Sequence, residues 1–509
     1  MNTLLIDGKS LSPDDVLAVA HGTKVALSPD ARDAMAANYQ DWVNMGSPDV
    51  LAGKEAWLLG ADESTRQPSN KRLQAFVESH CAGVGELLPD RQVRALMLAR
   101  ANVLAGACSG ARPEAVELLL SMLNEQVHPL VPMRGSVGAA GDLAPLAHIA
   151  RVVFRLGGKA RRDGSIHNAT QAMQGLPEFV PSSKEALSFI NGASLASALA
   201  AIACVRAEKL LSNAEIILAM TMEAVVAQRG CIDPKALEAR GQEGGVRVAK
   251  RLCELLSDSE LVSEDQQPDA FSIRCAPSIL GAARDTLSYV DQVIRRELNG
   301  ACDNPLIIEG QLIEAGNFHG APIGLAMDHL KIALTQIATV SERRTFRMTH
   351  GDLSGRLPSF LVEDTGTNSG FMLAQYTAAS LASECKGLSM PASVDSIPTG
   401  QHHEDHVSMA PIAARNCLRI IEAVAEILSI EALCAAQALD FRFEGAHFTS
   451  NGEKQIGHPR KAASAVQKAH DTLRSVSKRW TVDRVMHLEL EACSAMLRRG
   501  ELLGESKAW

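Results

Sequence analysis

The segment HHEDH at residues 402–406 concentrates imidazole and carboxylate groups that could bind a metal ion or exchange protons. A helical zinc site of the H-E-x-x-H type places two imidazoles on one face of a helix, with a glutamate directly after the first histidine. HHEDH does not have that pattern. We therefore predict no metal ion here, and Glu404 remains a candidate for acid–base chemistry or for substrate binding.

Two further side chains have types that suit a small-molecule site. Burial and neighbouring charges can shift the pKa of carboxylates and imidazoles toward neutral pH, which makes Glu404 and His80 candidate bases. Arg274 could hold a substrate carboxylate through a charge-assisted pair. A single histidine is more commonly a core residue, and a single arginine a surface residue, so residue type alone does not establish these roles.

A glycine-rich strip, GSVGAAGDLAPLAHIA, covers residues 135–150. Asp142 can cap a following helix through its carboxylate. Pro145 would then lie in the first turn, where a missing N–H costs nothing. The strip therefore predicts a tight turn that leads into a helix.

Long segments closed by glycine, proline or a polar cluster dominate the rest of the chain, and the first of them contains neither glycine nor proline. The stretch from Ala193 to Arg229 could form a helix of roughly 55 Å. Similar segments recur at about 279–298, 323–347, 371–390 and 412–444. Together they predict a mostly α fold built on a long-helix bundle.

The first 190 residues contain more glycine and proline and shorter periodic stretches. We predict a smaller mixed N-terminal domain at 1–190 and the helix bundle at 191–509. Irregular polar connections are expected at about 230–275, 349–370 and 391–410. Connections of this kind often carry functional residues.

The amino-acid composition limits which partners the protein can bind and in which cellular compartment we expect it. The 50 basic and 59 acidic residues give a net charge of −9, without long runs of one sign, which argues against nucleic acid or an anionic membrane as partner. The N-terminus lacks a signal-peptide pattern, and the apolar run at 193–205 is shorter than the roughly 20 residues that span a bilayer. Eleven scattered cysteines indicate thiols in a reducing compartment. We expect a cytoplasmic protein.

Eight separated motifs resemble the aromatic amino-acid ammonia-lyase family, in particular its histidine ammonia-lyase branch. They are SHCAGVG at 79–85, GSVGAAGDLAPLAH at 135–148, NGAS at 191–194, SIRCAPSILGA at 272–282, DNPL at 303–306, GNFH at 316–319, NSGFMLAQ at 368–375 and SVDSIPTGQHHEDHVSMAP at 393–411. The resemblance implies the fumarase/aspartase-like superfamily fold. It also implies a homotetramer whose active sites combine loops from three subunits, and a small-molecule substrate.

The resemblance also suggests roles for single residues. Glu404 matches the position that binds the imidazole ring in histidine ammonia-lyases, and His80 matches a site histidine. Asn191 and Arg274 match groups that handle the amino and carboxylate ends of the substrate. Lys386, in ECKGLSMP, is a candidate assisting residue.

Three departures from the family pattern bear on the chemistry. The family cyclises an Ala-Ser-Gly triad into an electrophilic methylidene-imidazolone, whereas this chain has Ala139-Ala140-Gly141 and no hydroxyl to eliminate. A tyrosine-bearing loop is replaced by KEAWLLGADESTRQPSN at 54–70. Phe271 stands where a second tyrosine is expected. We therefore predict that the protein works without this prosthetic group.

A quaternary ammonium leaving group would make the electrophile unnecessary, because trimethylamine can depart directly. Within the family this chemistry resembles ergothionase, which eliminates trimethylamine from ergothioneine to give thiolurocanate. Aromatic rings attract a quaternary cation by about 0.5 to 2 kcal/mol each. Phe271, Phe318 and Trp57 are candidates for such faces, although Trp57 could equally be a packing residue.

Two alternatives remain open from the sequence. The protein could be an inactive homologue that binds an imidazole-containing ligand or serves in assembly. It could also be a variant that releases ammonia slowly from histidine. The substrate, ergothioneine or a related histidine betaine, and the identity of the base are not decided by the residues alone.

Overall fold

A computed structural model describes residues 3–51, 69–264, 269–449 and 452–504. Within these ranges the chain is mostly α-helical, as predicted. The described helices are Pro13–Ala20, Pro29–Asn44, Ser69–His80, Asp90–Ala105, Pro113–Asn124, Leu143–Val153, Ala169–Ala172, Ser183–Ile190, Ser194–Ala224, Pro234–Arg240, Glu243–Leu255, Phe271–Arg274, Ala276–Leu298, Ala321–Thr349, Met372–Leu388, Ala410–Phe443, Ser464–Arg474 and His487–Arg499. Short 3₁₀ turns cover Arg229–Ile232, Ser359–Leu361, Gly400–His402 and Glu501–Leu503.

The strands are short and form small separate sheets. Leu4–Ile6 pairs in parallel with Val25–Leu27, and the remaining pairs are antiparallel. Those pairs are Val84–Leu87 with Pro132–Arg134, His128–Pro129 with Lys159–Arg162, Lys159–Arg162 with Ser165–Asn168, Leu306–Ile308 with Gln311–Ile313, and Ala446–Phe448 with Lys454–Ile456. Most of the described strands precede residue 190, which agrees with the mixed character predicted there.

All five predicted long helices are present. The first ends at Ala224 rather than near Arg229, because Val226 adopts a left-handed φ of 59° that no α-helix accommodates. Its alanine-rich beginning is buried throughout 193–204, as expected for a core helix. The region 230–275 was predicted as an irregular connection, and this is wrong in part. It contains the helices Pro234–Arg240 and Glu243–Leu255.

The chain divides into two compact units that are not consecutive segments. The first comprises Met1–Val205, Val290–Asp328 and Pro391–Arg415. The second comprises Arg206–Tyr289, His329–Met390 and Asn416–Trp509. This differs from the predicted division at residue 190, because two later segments join the N-terminal residues in one unit. Those later segments carry the motifs DNPL, GNFH and HHEDH.

Candidate active site

The glycine-rich strip and the NGAS motif lie against each other in the first unit. Gly141 and Gly192 form a parallel bridge, and the Asp142 N–H donates to the Gly192 carbonyl at 2.9 Å. The Gly192 N–H in turn donates to the Ala140 carbonyl at 3.3 Å. A Cβ atom at Gly141, whose φ is 78°, would collide with the backbone of Gly192. The close approach of the two loops therefore requires glycine.

Asp142 does not cap its own helix, so that prediction is wrong. Its buried carboxylate accepts hydrogen bonds from Ser136 Oγ at 2.8 Å and from the Ala196 N–H at 2.9 Å. It therefore caps the helix Ser194–Ala224, which satisfies a helix-end donor. Burial raises the pKa of Asp142 to about 6 despite these bonds. Pro145 lies in the first turn of Leu143–Val153, as predicted.

The residues that directly follow HHEDH and GNFH contact the other side of the strip. Ser408 Oγ donates to the Gly138 carbonyl at 2.9 Å, and the Met409 N–H donates to the Val137 carbonyl at 2.8 Å. A Cβ atom at Gly320 would come within 2.9 Å of Ser408 Oγ. Segments far apart in sequence thus hold the Ala139–Gly141 backbone in place.

The SHCAGVG segment borders the start of the same strip. Val84 pairs with Arg134 across two short strands, and a Cβ atom at Gly135 would lie 3.0 Å from Gly83 Cα. His80 ends the helix Ser69–His80 and is half-buried. Its Nδ1 lies 2.7 Å from the Phe76 carbonyl, which can only accept a hydrogen. In the neutral ring the lone pair is therefore on Nε2, the state that a proton acceptor requires.

Asn191 is placed by the helix that precedes it. Ser182 and Glu185 form a capping box at the start of Ser183–Ile190, and the helix ends where Asn191 adopts an extended conformation. The Asn191 side chain is 5% exposed, and its Oδ1 has no hydrogen-bond partner among the described residues. A buried acceptor left unpaired marks a place where a ligand or water can bind.

A fully buried ion pair joins the helix that precedes Asn191 to the DNPL motif. Lys184 Nζ lies 3.0 Å from Asp303 Oδ2 in DNPL and donates to Ser188 Oγ at 2.6 Å. The backbone of Cys302, next to Asp303, lies so close to Gly192 that a Cβ at Gly192 would collide with it. DNPL therefore has a structural role beside NGAS.

Glu404 lies at the end of a tight loop. The Thr399 N–H donates to the Glu404 carbonyl at 3.0 Å, and Thr399 Oγ1 donates to Glu404 Oε2. Gly400 and Gln401 between them adopt left-handed conformations with φ of 53° and 55°. The half-buried carboxylate is thus oriented by its own loop.

The structure brings His406 of the HHEDH segment together with His319, which the sequence analysis did not single out. The rings of His319 and His406 stack with centroids 5.9 Å apart, and His319 Nε2 lies 3.2 Å from the His406 carbonyl. Phe318, the predicted cation-binding ring, precedes His319 and is half-buried. Only the presence of both histidines inside family-like motifs could have indicated this pair.

The remaining predicted residues belong to the second unit. Phe271 and Arg274 begin and end the short helix Phe271–Arg274, and the Phe271 side chain is 74% exposed. Lys386 lies exposed in the last turn of Met372–Leu388. Arg274 is exposed as well. These three groups are therefore accessible on the surface of a single chain.

Other predictions concern absences or undescribed positions. Trp57 and most of the 54–70 segment lie outside the described residues. Within the described ranges no three His, Cys, Asp or Glu side chains are grouped as a metal site, and no disulfide joins the cysteines. Of the helices in this described part of the chain, none combines the length and apolarity needed to cross a membrane.

Sequence comparison relates nearly the whole chain to one family. The family model described as aromatic amino acid lyase matches residues 11–475. The histidine ammonia-lyase of Anaeromyxobacter sp. (strain K) is 39% identical over 99% of this chain and 100% of its own length. That of Gloeobacter violaceus is 43% identical over 86% of this chain and 88% of its own.

Solved structures of the same kind share the fold. Histidine ammonia-lyase from Trypanosoma cruzi aligns with a TM-score of 0.87 and 33% identity, covering 99% of this chain and 94% of that one. Ergothionase from Treponema denticola, in complex with desmethyl-ergothioneine sulfonic acid, aligns with a TM-score of 0.86 and 26% identity. That alignment covers 99% of this chain and 100% of the other.

Proposed function

Because the chain belongs to the aromatic amino acid lyase family, we propose that it is a carbon–nitrogen lyase that eliminates trimethylamine from ergothioneine. Ergothioneine is the trimethylated betaine of 2-thiohistidine, and the other product is thiolurocanate. The similarity to an ergothionase structure supports this substrate, although it is distant. The observation on which the proposal rests is the alanine at position 140.

Ala140 is incompatible with the family's prosthetic group. Forming the exocyclic methylidene requires loss of a side-chain hydroxyl at this position, and alanine has a methyl group only. The surrounding backbone keeps its close contacts with Gly192 even so. We propose that catalysis proceeds without the electrophile, and no step below uses it.

A quaternary nitrogen explains how elimination proceeds without that group. A base removes the proton from the β-carbon, its C–H electron pair forms the new C=C bond, and the C–N electron pair leaves with nitrogen. The leaving group is neutral trimethylamine. A primary amine would instead depart as a much poorer leaving group, which the electrophile normally improves.

Four side chains are assigned to substrate binding. Glu404 holds and polarises the thioimidazole ring, so that the ring accepts charge as the β-proton leaves, and Lys386 assists. Arg274 pairs with the substrate carboxylate. The unpaired Asn191 Oδ1 is an acceptor, which suits N-methyl groups that bear positive charge and offer no N–H.

We assign the base to His80 rather than to Glu404. The hydrogen bond from Nδ1 to the Phe76 carbonyl leaves Nε2 able to accept a proton, and the resulting imidazolium keeps that bond. Glu404 is engaged with Thr399 and with the ring. The assignment predicts different effects for the two side chains when each is replaced.

Aromatic rings and a homotetramer complete the proposed site. Phe271, Phe318 and Trp57 are assigned to the trimethylammonium, which rings attract. Phe271 exposes 74% of its side chain on the single chain, as expected if another subunit covers it. Further large apolar side chains are exposed along long helices: Tyr289, Leu325, Ile332, Phe346, Leu373 and Tyr376.

A second candidate is a histidine ammonia-lyase-like protein with little or no activity. The curated relatives named histidine ammonia-lyase, at about 40% identity, favour it. Under this alternative the ring-binding residues would still bind histidine, but no elimination would follow. Retention of His80, Asn191, Arg274 and Glu404 together is better explained by turnover of a related substrate.

Absorbance scans of the purified protein with ergothioneine and with histidine distinguish the two. We expect a conjugated thiolurocanate spectrum and released trimethylamine from ergothioneine only. Urocanate from histidine without any product from ergothioneine would overturn the proposal. The Ala140→Ser variant should not become an efficient histidine ammonia-lyase, because both tyrosine positions remain empty.

A further inference from the structure

A strongly basic cavity of about 620 Å³ lies within the second unit, and no residue assigned above is among its lining residues. Its basic lining consists of three arginines and two histidines: Arg356, Arg442, Arg460, His447 and His458. No carboxylate is among the lining residues of this described cavity. The positive charges of the three arginines repel one another, and a bound anion would reduce this repulsion.

Arg442 is the most deeply buried of these cations. Its side chain donates Nε to the Ala224 carbonyl at 2.8 Å and Nη2 to the carbonyls of Ser354 and Gly355 at 2.8 and 2.9 Å. All three acceptors are neutral, and the residue is only 9% exposed. No ion pair between described residues includes Arg442. Burial and the charge of Arg460 lower its pKa to about 10, so it stays cationic at neutral pH.

The carboxylate of Glu444, which precedes the lining residue Gly445, is engaged elsewhere. Glu444 pairs with Arg479 and with Lys454, and these bonds lower its pKa to about 2. Glu363 also pairs with Lys454, at 2.7 Å. Neutralisation of the cavity by these side chains would break existing ion pairs.

Two glycines in the cavity wall leave no room for a side chain. Gly355 and Gly445 both have φ of 68°. A Cβ at Gly355 would lie 2.9 Å from Arg442 Nη2, and one at Gly445 would lie 2.7 Å from the Gly457 carbonyl oxygen. The Gly457 N–H also donates to the Gly445 carbonyl at 2.8 Å. The charges are therefore held in a preformed concave surface.

We propose that this cavity binds a small-molecule phosphate. Planar guanidinium groups match the geometry of phosphate oxygens and bind them through paired N–H donors. Two apolar side chains, Val226 and Leu261, line the same cavity and offer contact to the organic part of a phosphate ester. The site is independent of the proposed lyase reaction.

Titration calorimetry of the full-length protein in chloride buffer tests the proposal, with pyrophosphate, inorganic phosphate and citrate as probes. We expect one pyrophosphate per chain, bound more tightly than citrate. Arg460→Gln and Arg356→Gln should each weaken binding about tenfold, the loss of a charge-assisted bond. Lys235→Gln removes an exposed cation of the same unit outside the cavity and should leave the Kd within about twofold.

Arg442 is left intact in these variants, because its bonds to three carbonyls also hold the fold. Absence of pyrophosphate binding at millimolar concentration would overturn the proposal. Binding that survives both arginine substitutions would place the anion elsewhere and equally overturn it. A citrate affinity above that of pyrophosphate would contradict the phosphate assignment.

Discussion

Arg344, which is fully buried, donates Nη1 to the backbone carbonyl of Ser272 at 3.3 Å. The same guanidinium forms a bidentate ion pair with buried Glu431, whose carboxylate also accepts bonds from Thr221 and Ser341. Ser272 belongs to the short helix Phe271–Arg274. A satisfied network in the core thus anchors the segment that presents Phe271 and Arg274.

Arg344→Met should destabilise the protein by about 3 to 5 kcal/mol, because it leaves Glu431 buried without its cation. Denaturant unfolding measures the change. Arg251→Met removes an exposed partner of Glu254 and should cost no more than about 1 kcal/mol. Equal losses of unfolding free energy in both variants would show that the buried Arg344–Glu431 pair contributes no more to stability than an exposed pair.

Glu404→Gln should lower kcat strongly while leaving the thermal midpoint within a few degrees of the parent. The amide oxygen can still accept from Thr399, but the charge that polarises the ring is lost. Asp405→Asn, an exposed neighbour in the same segment, serves as the matched control and should retain activity. Full activity of Glu404→Gln would remove this carboxylate from the mechanism.

Phe271→Leu should raise KM for ergothioneine roughly two- to thirtyfold, which corresponds to about 0.5 to 2 kcal/mol of lost cation–π attraction. Phe271→Tyr keeps the ring and should change KM little, since a quaternary ammonium offers no donor to the new hydroxyl. Steady-state kinetics of both variants provide the measurement. If leucine were as effective as phenylalanine, the ring would not contact the cation.

Glu223 should make stability depend on pH. Burial raises its pKa from 4.5 to about 7, and Oε2 lacks a hydrogen-bond partner among the described residues. The folded state therefore binds the proton more tightly than the unfolded state, and this group lowers stability as pH rises from about 4.5 to 7. Glu223→Gln should raise the melting temperature relative to the parent more at pH 8 than at pH 5.

Exposed Glu453 provides the control for that experiment, because its side chain makes no described contact. The melting temperature of Glu453→Gln should differ from that of the parent by the same amount at both pH values. If the difference in melting temperature between Glu223→Gln and the parent did not change with pH, the Glu223 carboxyl would be solvated in the folded protein.

The long helices could be predicted because their signal is local. Absence of glycine and proline from 412–444 is visible in the sequence, and the observed helix Ala410–Phe443 begins and ends within a few residues of these limits. The end of the first helix at Ala224 was missed, since Val226 carries no recognisable turn signal. The composition of the first unit was missed because it depends on contacts between distant segments.

Contacts in the candidate site between residues that are far apart in the sequence could not be predicted either. The Asp142 carboxylate looked like a cap for the helix that follows it, but it binds an N–H group 54 positions later. His319 and His406 meet across 87 positions. The resemblance to a family indicated which motifs belong to the candidate site. The spacing of these motifs in the sequence does not predict which of their atoms come into contact.

The degree of methylation of the substrate nitrogen tests the central proposal most directly. Ergothioneine and its primary-amine counterpart, 2-thiohistidine, should be offered to the same enzyme preparation while trimethylamine, ammonia and the conjugated product are measured. We predict turnover of ergothioneine, with 2-thiohistidine binding as a competitive inhibitor without elimination. Comparable turnover of both compounds would contradict the quaternary leaving group and the explanation offered for Ala140.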